Sequence, residues 1–356
     1  MLRTTNRVLI GLVLTFAAPV FGQTTQPAVK YYDLQAAINK AVVVGPDGGV
    51  VSEKILQLPA GDYHVAKPAK IPAAKHGGAV IKIVGHGRGT TLRPSKTFPG
   101  GPLLSLEGAG QGCILSDFRI VNESDVKCES AIRLSRPPGA YSSGLHSLTN
   151  IWAVGRFTRA CIDVDGSEGC TFTKVIGESL NTNPALLLRS ESGGMQTYQE
   201  LGCCWTNNAN GPSVKIHACK GIVSDLHFRS TVLNGGAIDI AHDTSQCEML
   251  SFEDMRFECG VWPYCFRLTI APGLALGPIS VQRCMLESKI SNWKSLGAVS
   301  QLTWIGNKVV HDFANPTIDA ERLDYSGILI HGSAPQFIKA KTVVGNLSVV
   351  KPEATP

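Results

Sequence analysis

The chain has 356 residues, is 44% hydrophobic and 17% charged, and carries a formal net charge of +5. That composition is globular and excludes a low-complexity or disordered chain, and with no run of Lys or Arg it argues against a nucleic-acid partner. Two features depart from the ordinary: 37 glycines, and an odd count of 11 cysteines.

Residues 1–22 read as a secretory signal. Arg3 and Arg7 form a basic start, Val8 to Val20 is an apolar run too short to span a bilayer comfortably, and Val20-Phe21-Gly22 places small residues at the −3 and −1 positions of a cleavage site. Losing Arg3 and Arg7 with that segment takes the charge from +5 to +3. The expectation is an exported protein (secreted, periplasmic or at the cell surface), with no stable membrane insertion after cleavage. Residues 23–30 read as a short linker.

Lys30 to Val43 is the clearest helix. Leu34, Ala37, Ile38 and Ala41 fall on one face, with Asp33 near the N-terminus. Next come two strand–turn–strand phrases, Leu56–Tyr63 (LQLPAGDY within Lys54–Tyr63) and Ile81–Leu92 within Ala79–Leu92. Gly85-His86-Gly87 is not a dinucleotide fingerprint, because no helix follows and the third glycine is missing.

From residue 131 a phrase of small-apolar-x-apolar type recurs: Ala131–Leu134, Cys161–Val164, Ala185–Leu188, Ser213–Ile216, Ala237–Ile240 and Cys265–Leu268. The starts are 30, 24, 28, 24 and 28 residues apart. Such a period is a solenoid repeat, in which no coil buries its apolar side alone. Each period divides into three short strands. Polar turn residues Asp117, Asn150, Asp225, Asp254 and Asn307 fall at one corner, and Phe118, Ile151, Val175, Cys203, Leu226, Met255 and Cys284 form one inward row. From Leu296 the phase blurs; Ile328–Ile330 and Thr342–Val344 read as last coils. Cys161 and Cys265 share the phase of Ala131, Ala185 and Ala237, so they read as small core residues. Without any C-x-x-C pair, the cysteines are expected to be mostly free, with no zinc site.

The helix, the LPAG phrase and the GxGxxTxL phrase together resemble the N-terminal part of the pectate lyase-like superfamily. The resemblance implies an all-β, right-handed, three-sheet parallel β-helix of about ten coils with an N-terminal capping α-helix. It would form a single domain over residues 31–350, ahead of a loose tail at 351–356. The sequence lacks the GxxDDT phrase that often precedes the helix.

Function on such a scaffold falls on outward positions. The opening strands align Ser105, Arg133, Asp163, Leu187, Lys215, Asp239 and Arg267 in one outward row. Beside it runs Glu107, Ser135, Asp165, Arg189, His217 and Thr269. A second ladder on the third strand carries Arg119, Trp152, Ile176, Cys204, His227, Arg256 and Met285. In polysaccharide-cleaving relatives of this fold the groove follows the opening strand, which implies a polysaccharide partner here. In a lyase reading Asp163 and Asp165 hold Ca²⁺, while Lys215, His217 or Arg189 serves as base or neutralises a uronate. Asp239 joins the catalytic candidates. Arg133, Arg267 and Trp152 are the substrate-binding candidates, and Trp262 is a further ring that could stack on a sugar. In a hydrolase reading Asp163 and Asp165, two apart on one strand, could meet the inverting separation; Asp239, three coils away at about 14 Å, could not partner Asp163. A third reading is a non-catalytic polysaccharide-binding or adhesion β-helix whose charged ladder is a solvated face. The Asn-Thr-Asp, Asp-Asp, His-Gly and Arg-x-Lys phrases of polygalacturonases are absent, as is Arg-x-x-Pro-x-x-Arg of pectate lyases. The number of subunits is left open.

Overall fold

The computed structural model describes residues 30–42, 55–71, 81–107, 112–136, 144–243, 246–259, 262, 264–288, 291–310, 318–326, 329–331 and 338–346. The signal segment, the linker up to residue 29 and the tail at 351–356 lie outside them.

Helix α1 runs Leu34–Ala41, shorter than the expected Lys30–Val43. Asp33 ends it on one side by accepting from the Ala36 N–H at 2.9 Å, and Val42 ends it on the other by turning extended. Leu34, Ile38 and Ala41 are buried, so the expected apolar stripe faces the solenoid. The helix also closes an exposed sheet edge. Gln35 accepts from the Lys70 N–H at 2.6 Å and donates to the Lys70 carbonyl at 3.0 Å, replacing a missing neighbouring strand.

All sheet pairings are parallel, as in a β-helix. One face is a sheet of nine strands: Ala69–Ile71, Leu104–Glu107, Ser130–Ser135, Ala160–Asp165, Leu186–Arg189, Val214–Ala218, Ile238–His242, Tyr264–Ile270 and Ser291–Leu296. We call it face I; its nine rungs are slightly fewer than the ten coils expected. Faces II and III merge into one continuous sheet of 22 strands. They merge because a single left-handed residue turns the corner between them. That residue is Asp117, Asn150, Lys174, Cys203, Ser230, Asp254, Arg283 or Gly306 in successive coils, with φ between 48° and 63°. Strands such as Ile114–Asn122 and Ser147–Gly155 run straight through it.

This corner corrects the turn alignment at two positions. Asn307 lies one residue past the corner, buried, accepting from the Cys284 N–H and donating to the Val281 carbonyl, both at 2.8 Å. Asp225 belongs to a different left-handed column with Leu145, Gly169, Tyr198 and Met249. The inward row shifts accordingly. Cys204 and Thr231 point inward where Cys203 and Leu226 were expected, and Cys203 is an exposed corner residue. On face III the outward ladder has Trp205 and Val232 in place of Cys204 and His227. A left-handed residue consumes one position without alternating, so simple period-2 counting slips by one after it.

The interior is a column of Ile, Leu, Val, Phe and Cys. Phe228 stacks on Phe252 with ring centres 5.1 Å apart, and Phe252 meets Phe266 edge-on at 5.1 Å. No disulfide joins the eleven cysteines; nine are buried, Cys219 is half-buried and Cys203 exposed. Among the described residues no helix is long and apolar enough to cross a membrane.

Candidate functional site on face I

The parallel register stacks the two outward rows of face I as the alternation implies. Arg133, Asp163, Leu187, Lys215, Asp239 and Arg267 are successive partners in one row. Ser135, Asp165, Arg189 and His217 are successive partners in the next.

The rows are not a uniformly wet surface. Asp163 is 0% exposed, Asp165 3% and Arg189 3%. One guanidinium explains this. From the next rung Arg189 reaches back over the pair, donating Nε to Asp163 Oδ1 at 2.8 Å and Nη2 to Asp163 Oδ2 at 3.0 Å, while Nη1 lies 2.9 Å from Asp165 Oδ2. Glu191 closes on the same Nη1 from the following turn. The other Asp165 oxygen accepts from the Ser192 N–H at 2.9 Å. Burial works against the Arg189 charge, but Asp163, Asp165 and Glu191 outweigh it and hold its pKa above the ordinary value. Its guanidinium is thus held in the charged form by three carboxylates.

The same geometry bears on whether these carboxylates suit calcium. Calcium takes six to eight oxygen ligands, whereas here a guanidinium sits between the two carboxylates where the ion would go. Among the described residues no three His, Cys, Asp or Glu side chains converge as ligands. Asp163 and Asp165 do not fit a calcium site. Nor do they fit a hydrolytic pair, since their oxygens are engaged by Arg189 and Ser192.

Beside this cluster lies an open cavity of about 460 Å³. Arg133, Arg136, Arg159 and Lys220 are its cationic walls, and Asp165 and Arg189 contribute to its base. Glu107 and Glu191 supply its other carboxylates, and Ser135 and Ser192 its hydroxyls. Arg136, Arg159, Glu191, Ser192 and Lys220 were not singled out from the sequence. They sit in or beside the turns that flank the face I strands, where alternation gives no signal.

The remaining candidates form a second cluster further along the ladder. Asp239 receives a two-pronged contact from Arg267, Nε at 3.0 Å and Nη2 at 2.6 Å, and this pairing raises the arginine's pKa. The Arg267 guanidinium lies 5.3 Å from the Trp262 ring centre. Lys215, beside Asp239 in register, makes no ion pair with it. His217 Nε2 lies 2.6 Å from Asp243 Oδ2. Trp152 is separate from both clusters: it stands on face III, with Arg119 and Ile176 as its neighbours across the rungs.

No known family profile matches the chain, and no curated protein sequence does. Among solved structures it is similar to ORF18 of Geobacillus virus E2, at 12% identity and TM-score 0.39, with 91% of this chain and 59% of that one covered. The catalytic domain of a GH87 alpha-1,3-glucanase in complex with tetrasaccharides aligns at 9% identity and TM-score 0.44, covering 85% and 64%. The tailspike protein gp49 of Acinetobacter baumannii bacteriophage Fri1, a capsular polysaccharide depolymerase, aligns at 11% and TM-score 0.44, covering 89% and 59%. The chain thus spans about three fifths of the length of these structures. At such identities no residue role passes from them to this chain, and the site rests on its own geometry: a cationic cavity on face I of a parallel β-helix.

Proposed function

We propose that this protein binds an anionic, uronate-bearing polysaccharide along face I and cleaves it by elimination. The observation that carries the reading is the state of the cavity's cations. Its lining carries five cations, Arg133, Arg136, Arg159, Arg189 and Lys220, against three carboxylates, Glu107, Asp165 and Glu191. Two wall arginines hold their acids loosely: Arg133 to Glu129 at 3.6 Å and to Asp163 at 3.7 Å, and Arg159 to Glu191 at 3.5 Å. Lys220 has no carboxylate partner among the described residues. Such long, part-exposed pairs are weak and exchange readily for a ligand carboxylate.

Neutralising a uronate carboxyl makes the proton on the adjacent carbon acidic. A base takes that proton, its C–H electrons form the new double bond, and the glycosidic oxygen leaves and is protonated. Two groups are proposed as the base. Lys220 is the one amine lining the cavity. His217 stands one rung from Arg189, and Asp243 on Nε2 leaves its Nδ1 to act. Lys215, Asp239 and Arg267, further along the ladder, are proposed as outer subsites; Trp152 is not part of this groove.

A hydrolase is the second reading, resting on Glu107 and Glu191, the carboxylates that line the cavity besides Asp165. A screen of uronate-containing and neutral polysaccharides separates the readings. Elimination yields an unsaturated, ultraviolet-absorbing end on acidic polymers only. New reducing ends without that absorbance would establish hydrolysis, and retention on the polymer with neither would leave a binding protein.

A further inference from the structure

Arg88, Arg119 and Trp152 lie on a face of the solenoid that the proposed activity does not use. Arg88 belongs to the Gly85–Gly89 phrase, whose glycines hold a tight turn: a Cβ on Gly85 would stand 2.3 Å from the Asp117 carbonyl oxygen, and Gly87 is left-handed. That turn carries the Arg88 guanidinium to 4.3 Å from the Trp152 ring centre. Arg119, one rung below Trp152 in register, brings a second guanidinium to 5.6 Å.

Two guanidinium groups converging on one indole concentrate positive charge at this point. Every other arginine whose side chain is described makes an ion pair with Asp or Glu. Arg88 and Arg119 make none among the described residues. Two donors at this point are also buried without an acceptor, Arg119 Nε and Trp152 Nε1. Buried donors of this kind are expected to be satisfied, by protein or by a ligand. The ring holds the guanidinium groups by cation–π attraction, which leaves N–H donors at their edges for an outside acceptor.

We propose that Arg88, Arg119 and Trp152 form a second site that binds one oxyanion group, a carboxylate or sulfate, separate from the face I cavity. A planar or tetrahedral oxyanion suits it because guanidinium groups donate in pairs and the indole N–H adds a further donor. The group could be free or carried on a saccharide.

The experiment follows the Trp152 indole N–H signal by NMR in the full chain, assigned by its loss in Trp152→Phe. Inorganic sulfate and trigalacturonate are titrated separately, with neutral maltotriose as the control. The expected result is a saturable shift, weakened by added salt, with an affinity at least about tenfold lower in Arg88→Gln and Arg119→Gln, as loss of a charge-assisted contact implies. The shift persists in Arg133→Gln, which alters only the face I cavity. A response to trigalacturonate alone identifies a saccharide-borne group; a response to sulfate as well identifies a general oxyanion site. No shift with either anion would overturn the proposal, as would an unchanged affinity in folded Arg88→Gln. Arg88 lies on an exposed turn, so that variant remains informative if Arg119→Gln does not fold.

Discussion

Arg189 is the residue on which the face I cluster depends. Its guanidinium compensates two carboxylates that are almost fully out of water, so removing it strands both. Arg189→Ala is expected to lower unfolding free energy by about 3–5 kcal/mol, and the triple change to Asp163→Asn, Asp165→Asn and Arg189→Met by clearly less. Denaturant unfolding of the two proteins measures the difference; equal losses would mean the cluster is not a coupled unit. His146 makes a second prediction at this scale. It is 1% exposed, and burial lowers its pKa from 6.5 to about 4. The unfolded chain therefore binds a proton that the folded one refuses between those values. Stability should be fully present above pH 6.5, fall as the pH drops, and level off near pH 4, by on the order of 3 kcal/mol. The thermal midpoint followed across that range tests this, and His146→Gln should flatten the slope. The alternation of Cys161–Asp165 put Asp163 and Asp165 on the outward face correctly. It could not show that Arg189 on the next coil would cover them, because that depends on coil length and side-chain reach rather than on period.

The strands and their corners were legible where one residue type repeats at one phase. Asn150 and Asp254 were readable as left-handed corners because their short polar side chains tolerate that backbone. Lys174, Cys203 and Arg283 fill the same corner with residues that carry no turn signal; the inward count held at Val175 and Cys284 after two of them and fell one short at Cys203, where Cys204 points inward. Coil stacking also imposes glycine where backbones meet closely. A Cβ on Gly85 would lie 2.3 Å from the Asp117 oxygen, and one on Gly155, at φ +145°, would lie 2.2 Å from the Asn122 oxygen. Gly85→Ala and Gly155→Ala should each cost at least about 3 kcal/mol, since backbone must move. Gly202→Ala, with nothing within 4 Å of the new atom, should change stability by less than about 1 kcal/mol. Comparable unfolding midpoints for all three would contradict the packing described.

At the scale of the whole molecule the repeat, with a period near 24–30 residues, marked a solenoid in the sequence, and the resemblance of the opening helix and the LPAG and GxGxxTxL phrases implied that it is a parallel β-helix. The cavity was less legible, because Arg136, Arg159 and Lys220 come from segments outside the alternating strands and meet only after the coils stack. Cysteine placement followed the repeat, and it predicts that native protein reacts with a thiol reagent at Cys203 and more slowly at Cys219, and at all eleven positions after unfolding. Fewer than eleven titratable thiols under non-reducing unfolding would reveal disulfides absent from this structure. The central claim is that the cations of face I act on an anionic polysaccharide. Its most direct test is kcat/KM for the ultraviolet-absorbing product on a uronate polymer that the protein cleaves, compared among wild type, Arg133→Gln, Lys220→Met and His217→Ala. The account predicts a fall of about a hundredfold or more when the base is removed, in Lys220→Met or His217→Ala, a smaller fall in Arg133→Gln, and no turnover of neutral polymer. Undiminished rates in all three variants would place the chemistry elsewhere on the solenoid and contradict it.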